Sequence, residues 1–185
     1  LIVLAEKSRK DPEARRDALN MADIAFLCLP DDAARQAVSL IDNPHTVIID
    51  TSTAHRTAEG WSYGFPELEG AEKIASSKRI ANPGCHASGF VALIKPLINS
   101  KAINPDTALS CFSLTGYSGG GKKMIAEYED SNRSPEFSAP RQYGLSQTHK
   151  HLPEMKNVCG LDFDPCFSPI VADFYSGMCV IIPLF

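Results

Sequence analysis

Five consecutive residues, Asn82-Pro83-Gly84-Cys85-His86, bring a thiol to the point where a tight turn hands over to a helix. Pro-Gly punctuates the chain before Cys85, and Ala87-Ser88-Gly89-Phe90-Val91-Ala92-Leu93-Ile94 continues as a helical pattern that Pro96 kinks or ends. The first N–H groups of a helix have no intrahelical partner, and the positive end of the helix dipole lies there. Such a place lowers a thiol pKa, and the thiolate is the reactive form. The same N–H groups suit an oxyanion formed after attack. Cys85 is therefore a candidate covalent nucleophile. The competing reading is structural, because free cysteines are mostly buried and inert. Cys28, Cys111 and Cys179, inside apolar runs, fit that description.

A second cluster is His149-Lys150-His151-Leu152-Pro153-Glu154. In an extended segment residues 149 and 151 share a face. One imidazole could act as general acid/base near neutral pH, with Glu154 orienting it. An exposed polar loop is the next reading. A metal site comes last, because no further His or Cys stands at clear ligand spacing. The loop Gly116-Tyr117-Ser118-Gly119-Gly120-Gly121-Lys122-Lys123 can wrap an anion with backbone N–H groups, with a lysine adding charge. It lacks the spacing of a triphosphate-binding loop, which disfavours a kinase or ATPase, and a flexible tight turn explains it as well. Arg56 follows Asp50 in a Ser/Thr-rich loop, where its planar fork suits a phosphate or carboxylate.

These residues need a scaffold. Residues 1–5 read as a buried strand, Asp11-Pro12 as a helix start, 24–29 as a second strand closed by Pro30, and Asp31-Asp32 as the cap of another helix. That helix has Ala34, Ala37, Val38 and Ile41 on its apolar side, and 46–49 read as a third strand. Strands alternating with helices predict a parallel sheet covered by helices, with ligands at the carboxyl ends of the strands. Those ends hold Ser8-Arg9-Lys10, Pro30 and Ser52. A basic group at the first of them favours NADP over NAD, although a solvated charge cluster is an equal reading. Beyond Cys85, strands are expected at 108–114, 167–174 and 177–184, with a long polar loop at 129–145 and a short helix opening at Pro153.

The composition excludes several classes. Of 185 residues, 44% are hydrophobic and 22% charged, which is ordinary for a folded, soluble protein, and the net charge is −4. With no basic run, nucleic acid is not an expected partner. No apolar stretch is long enough to span a bilayer, and nothing reads as a signal peptide. The six cysteines lack Cys-x-x-Cys spacing, and a reducing, cytoplasmic setting is expected.

Together these stretches resemble the N-acetyl-gamma-glutamyl-phosphate reductases of the shorter bacterial type, and more distantly aspartate-semialdehyde dehydrogenases. The resemblance runs through Cys28-Leu29-Pro30-Asp31-Asp32-Ala33-Ala34, Asp50-Thr51-Ser52-Thr53-Ala54-His55-Arg56-Thr57, Tyr63-Gly64-Phe65-Pro66-Glu67-Leu68, Ala81-Asn82-Pro83-Gly84-Cys85, Gly116-Tyr117-Ser118-Gly119-Gly120-Gly121-Lys122 and His149-Lys150-His151-Leu152-Pro153-Glu154-Met155. It implies an α/β fold: a Rossmann-like parallel sheet in 1–84, lacking its first strand and glycine-rich turn, and an α+β catalytic and dimerisation domain in 85–185. It implies NADPH-dependent reduction of an acyl phosphate through a Cys85 thioester, in a homo-oligomer (dimer or tetramer). It implies catalytic roles for Cys85, His149, His151, Glu154 and Tyr143, with His149 as acid/base. Arg56, Asn82 and Lys122 would bind substrate, and Ser8, Arg9, Lys10, Pro30, Ser52, Ser118 and Gly119 the cofactor. His86 departs from the family, which usually has an aromatic residue there. A polypeptide of these residues alone is expected to be poorly soluble and not to bind NADPH. The alternatives are a non-redox acyl-transferase or hydrolase using Cys85 and His149, and a non-catalytic nucleotide-binding module.

Overall fold

Apolar residues alternate or cluster with helical spacing along most of the chain, and the computed structural model, which describes residues 1–184, shows what they build. The chain divides into two units, residues 1–84 and 85–185.

In the first unit, helix α1 (Pro12–Met21) starts as expected: the Asp11 side chain accepts the Glu13 N–H, and Pro12 sits where no N–H is needed. Strand β1 (Ile24–Leu27) and strand β2 (Val47–Asp50) flank helix α2 (Asp31–Ser39). A short strand β3 (Ser62–Tyr63), helices α3 (Pro66–Glu69) and α4 (Ala71–Ser76), and strand β4 (Arg79–Ala81) follow. The sheet order is β1-β2-β4-β3, and every pairing is parallel. Leu27, Ala37 and Ile48 form its core, with Leu19, Val38, Ile41 and Trp61 packed around them.

Three expectations need correction here. Residues 1–5 form no strand, and Leu1, Ile2 and Val3 are exposed. Five apolar residues carry strand propensity, but a strand needs a ladder partner to satisfy its backbone. Residues 6–10 are instead a turn, closed by Ser8 N–H and Arg9 N–H on the Ala5 carbonyl. The N-cap of α2 is Pro30, while Asp31 and Asp32 occupy its first turn. Cys28 and Cys179 are exposed, whereas Cys111 and Cys159 are the buried thiols, each pushed up to about 12 by burial first.

In the second unit, helix α5 (Cys85–Asn99) continues through Pro96 rather than stopping there. Its buried residues His86, Ala87, Phe90, Val91 and Ile94 recur at helical spacing. Strand β5 (Ser110–Gly116) leads through a 3-10 turn at Tyr117–Gly120 into helix α6 (Gly121–Glu129). The polar segment after it holds a second 3-10 turn (Pro135–Ser138) and a two-residue strand β6 (Arg141–Gln142). Helix α7 (Leu152–Cys159) ends at Gly160, whose φ of 76° is left-handed and favours glycine. Strands β7 (Cys166–Ala172) and β8 (Met178–Ile181) complete a mixed sheet of order β6-β7-β5-β8. Strands β5 and β7 are parallel, and β8 and β6 run antiparallel to their neighbours. Phe90, Val91, Ile94, Met155, Phe167 and Val171 are among its buried side chains. At Gly116 a Cβ would meet the Phe174 and Tyr175 carbonyl oxygens at 2.7 Å, so the strand can pass that backbone only with glycine.

Candidate active site

Cys85 is the first residue of α5 and is exposed. The elements around it place a ring of polar side chains. His86, one residue on, turns inward and is 4% exposed. Its Nδ1 lies 2.7 Å from Ser113 Oγ and its Nε2 2.9 Å from the Tyr143 hydroxyl. Its ring centroid is 5.7 Å from that of His149 and 5.6 Å from that of His151. The rings of His149 and His151 are 4.8 Å apart and nearly perpendicular, and Phe167 on β7 stands against both His86 and His149.

The two histidines do not sit in an extended segment. His149 lies outside the regular elements, and His151 is the N-cap residue of α7. The His151 N–H donates to His149 Nδ1 at 3.2 Å, so the neutral His149 ring keeps its proton on Nε2. Glu154 is buried in the first turn of α7.

Burial dominates the electrostatics. It lowers His86 to about 4, helped by the nearby His149 charge. It also lowers His149, with Lys150 adding to the shift. Tyr143 is pushed up to about 12 by burial first and then by the charge of Cys85. Both imidazoles are therefore neutral near pH 7.

In the first unit, Asp50 ends β2 fully buried. Its carboxylate accepts the Ser52 N–H and hydroxyl at 3.0 and 2.8 Å, and His55 Nδ1 lies 2.6 Å away. His55 stacks on Trp61 at 4.0 Å. Asp31 accepts the Thr53 N–H and hydroxyl. These bonds fix the loop that carries Arg56, whose Nε donates to the Asn82 carbonyl at 3.0 Å and Nη2 to the Thr51 carbonyl at 3.1 Å. The Asn82 side chain donates to the Pro83 carbonyl.

The remaining candidates are spread out. Pro30 is exposed beyond the carboxyl end of β1, and the Ser52 hydroxyl is engaged by Asp50. Arg9 pairs with Glu6 on an exposed turn, not at a strand end; Lys10 is exposed, and the Ser8 hydroxyl donates to Ala5. Ser118 and Gly119 lie in the 3-10 turn after β5, and Lys122 is exposed in the first turn of α6. Among the described residues no three His, Cys, Asp or Glu side chains gather to hold a metal ion, and no helix is long and apolar enough to cross a membrane.

Sequence reasoning missed Ser113 and the inward role of His86. The signal for Ser113 was its position: Cys111, Ser113 and Thr115 alternate on the buried face of β5, and a buried hydroxyl needs a partner. The Asp50–Ser52–His55 bonding was also missed, because its partners meet only once the loop has folded.

Comparison with known proteins follows the same outline. The sequence model of the semialdehyde dehydrogenase NAD binding domain matches residues 5–77, and that of the semialdehyde dehydrogenase dimerisation domain matches 85–185. All of the chain aligns with an N-acetyl-gamma-glutamyl-phosphate reductase of Chelativorans sp. (strain BNC1) at 48% identity, covering 59% of that protein. It also aligns with N-acetyl-gamma-glutamyl-phosphate reductase 2 of Pseudomonas putida at 45% identity, again covering 59%. The chain thus spans about three fifths of the length of such curated relatives. Aspartate semialdehyde dehydrogenase II from Vibrio cholerae shares the fold over 89% of this chain and 56% of its own, with TM-score 0.64 and 15% identity. The enzyme from Candida albicans, solved with NADP, matches 88% of this chain and 50% of its own, with TM-score 0.57 and 14% identity. Matched by both domain models in the order its own two units run, the chain belongs to the semialdehyde dehydrogenase family.

Proposed function

We propose that the protein carrying this chain uses NADPH to reduce N-acetylglutamyl 5-phosphate to N-acetylglutamate 5-semialdehyde and phosphate, a cytoplasmic step of arginine biosynthesis. One observation carries this: Cys85 opens a helix whose second residue, His86, meets Tyr143, His149 and His151, in a chain that aligns throughout with N-acetyl-gamma-glutamyl-phosphate reductases. The NAD binding domain match favours this redox reading over non-redox acyl transfer.

The first unit suits a dinucleotide. Its parallel strands β1 and β2 end side by side, at Pro30 with the start of α2 and at the Ser52 loop, which is where such sheets bind nucleotides. Arg9 and Lys10, with Ser8, are the basic residues available to a 2′-phosphate, and Ser118 and Gly119 are the candidates for the nicotinamide end. When bound, NADPH supplies the hydride that reduces the acyl carbon.

The chain's residues do the rest. The Cys85 thiolate attacks the acyl carbon, forming a C–S bond, and phosphate departs with the electrons of the broken C–O bond and takes a proton from solvent. The oxyanion at each tetrahedral stage is directed at the N–H groups at the start of α5. His149 adds the N–H on Nε2, so its expected acid/base role narrows to donation from that atom. After reduction the oxyanion collapses to the aldehyde and returns Cys85 as thiolate, with no net proton needed from the site. Arg56, anchored on the Asn82 and Thr51 carbonyls, is the candidate for the departing phosphate, with Asn82 and Lys122 beside it in role. His151, the N-cap residue of α7, and Glu154, buried in its first turn, are the candidates for shaping the site around His149. The match of 85–185 to a dimerisation domain supports a homo-oligomer.

The test is the reverse reaction on the whole protein: semialdehyde, inorganic phosphate and NADP should give NADPH absorbance only when phosphate is present. Phosphate-independent turnover, or none, would remove the assignment.

A further inference from the structure

His86 takes no part in the proposed chemistry, yet its ring is held from two sides. Both ring nitrogens are engaged, by the hydroxyls of Ser113 and Tyr143. Burial keeps the ring neutral, so one nitrogen donates and the other accepts. Hydroxyls can play either part, so the rings alone leave two arrangements. The buried position of Ser113 decides between them.

Ser113 is fully buried, and His86 is its hydroxyl's hydrogen-bond partner among the described residues. If Nδ1 carried the proton and donated to Ser113, the serine proton would be buried with no acceptor, which is costly. If Ser113 donates to Nδ1, its proton is satisfied and Nε2 must carry the ring proton. Nε2–H then donates to the Tyr143 oxygen, and the phenolic proton is not consumed by the histidine. Tyr143 is only half-buried, and its hydroxyl lies 2.9 Å from the ring of the residue that directly follows Cys85.

We infer that Ser113 and His86 form a fixed relay that reserves the Tyr143 proton for the oxygen developing charge at the Cys85 centre. Ser113 and His86 are positioning residues, and Tyr143 is the group that touches the substrate. The relay would hold beside the N–H groups of α5 and His149 Nε2–H as one more donor to the same oxyanion.

Two measurements test it, of which only the second rests on the proposed function. Nitrogen-15 NMR of the whole wild-type protein near neutral pH should show His86 protonated on Nε2 and bare on Nδ1. A proton on Nδ1 would overturn the relay. Then kcat is measured for acyl-phosphate reduction by His86→Phe, which keeps an aromatic ring without its hydrogen bonds, by Tyr143→Phe, and by the double variant. Each single change should lower kcat about tenfold to a hundredfold with KM little changed, and the double should fall no further than the worse single. Losses that multiply would overturn the relay. If His86→Phe does not fold, the wild-type tautomer decides. A wild type that reduces no acyl phosphate would sink the proposed function and leave the tautomer result standing.

Discussion

A buried histidine that stays neutral makes a protein sensitive to acid, and this site holds the buried His86 and the half-buried His149, both lowered by desolvation. His86 falls from 6.5 to about 4 on folding, and His149 shifts the same way. Between those values the unfolded chain binds protons that the folded chain refuses. Their contribution to stability is therefore full above pH 6.5 and is lost as the pH falls toward 4. His86 alone contributes on the order of 3 kcal/mol to that loss. Urea unfolding across this window should show the decline in wild type and a shallower one in His86→Phe; equal slopes would contradict it. Arg56→Lys tests the phosphate role. Lysine lacks the planar fork that reaches both the Asn82 and Thr51 carbonyls, so KM for the acyl phosphate should rise about tenfold with kcat nearly unchanged. An unchanged KM would take Arg56 out of the substrate site. Cys85, His149 and Tyr143 were legible from residue type and resemblance, whereas the His86–Ser113 bond spans 27 residues of sequence and needed the folded strand β5 to be seen.

At the scale of elements, local signals were legible where they satisfy backbone groups directly. Asp11-Pro12 starts α1 by a cap whose chemistry is contained in three residues. Residues 1–5 misled because apolar β-branched composition reports a tendency to pair, not the presence of a partner. Strands β3 and β6, two residues each, are too short to leave a period. Helix α5 carries a sharper constraint that its sequence does not announce. A Cβ at Gly89 would come within 2.5 Å of Val180 Cγ2 on β8, so Gly89 allows the helix bearing Cys85 to lie close to that strand. Gly89→Ala should destabilise by about 1–3 kcal/mol through overpacking, despite its better helix propensity, and adding Val180→Ala should restore part of the loss. Thermal unfolding of both variants checks this; a Gly89→Ala protein as stable as wild type would show that the close approach is not tight.

At the scale of the whole molecule, strand–helix alternation before residue 84 made the parallel sheet legible, because both the crossover helices and the strand ends are local in sequence. The mixed sheet of the second unit was less so: β5 pairs with β7 across more than fifty residues, and nothing local in either strand names its neighbour. The proposed reaction turns on one covalent step, the passage of the acyl group from phosphate to Cys85. It predicts that the whole protein, mixed with N-acetylglutamyl 5-phosphate and no NADPH, gains one N-acetylglutamyl group on the peptide containing Cys85. Intact-protein and peptide mass spectrometry should find that adduct, lose it when NADPH is added, and fail to find it in Cys85→Ser. An adduct on another residue, or reduction proceeding at the wild-type rate in Cys85→Ser, would contradict the account.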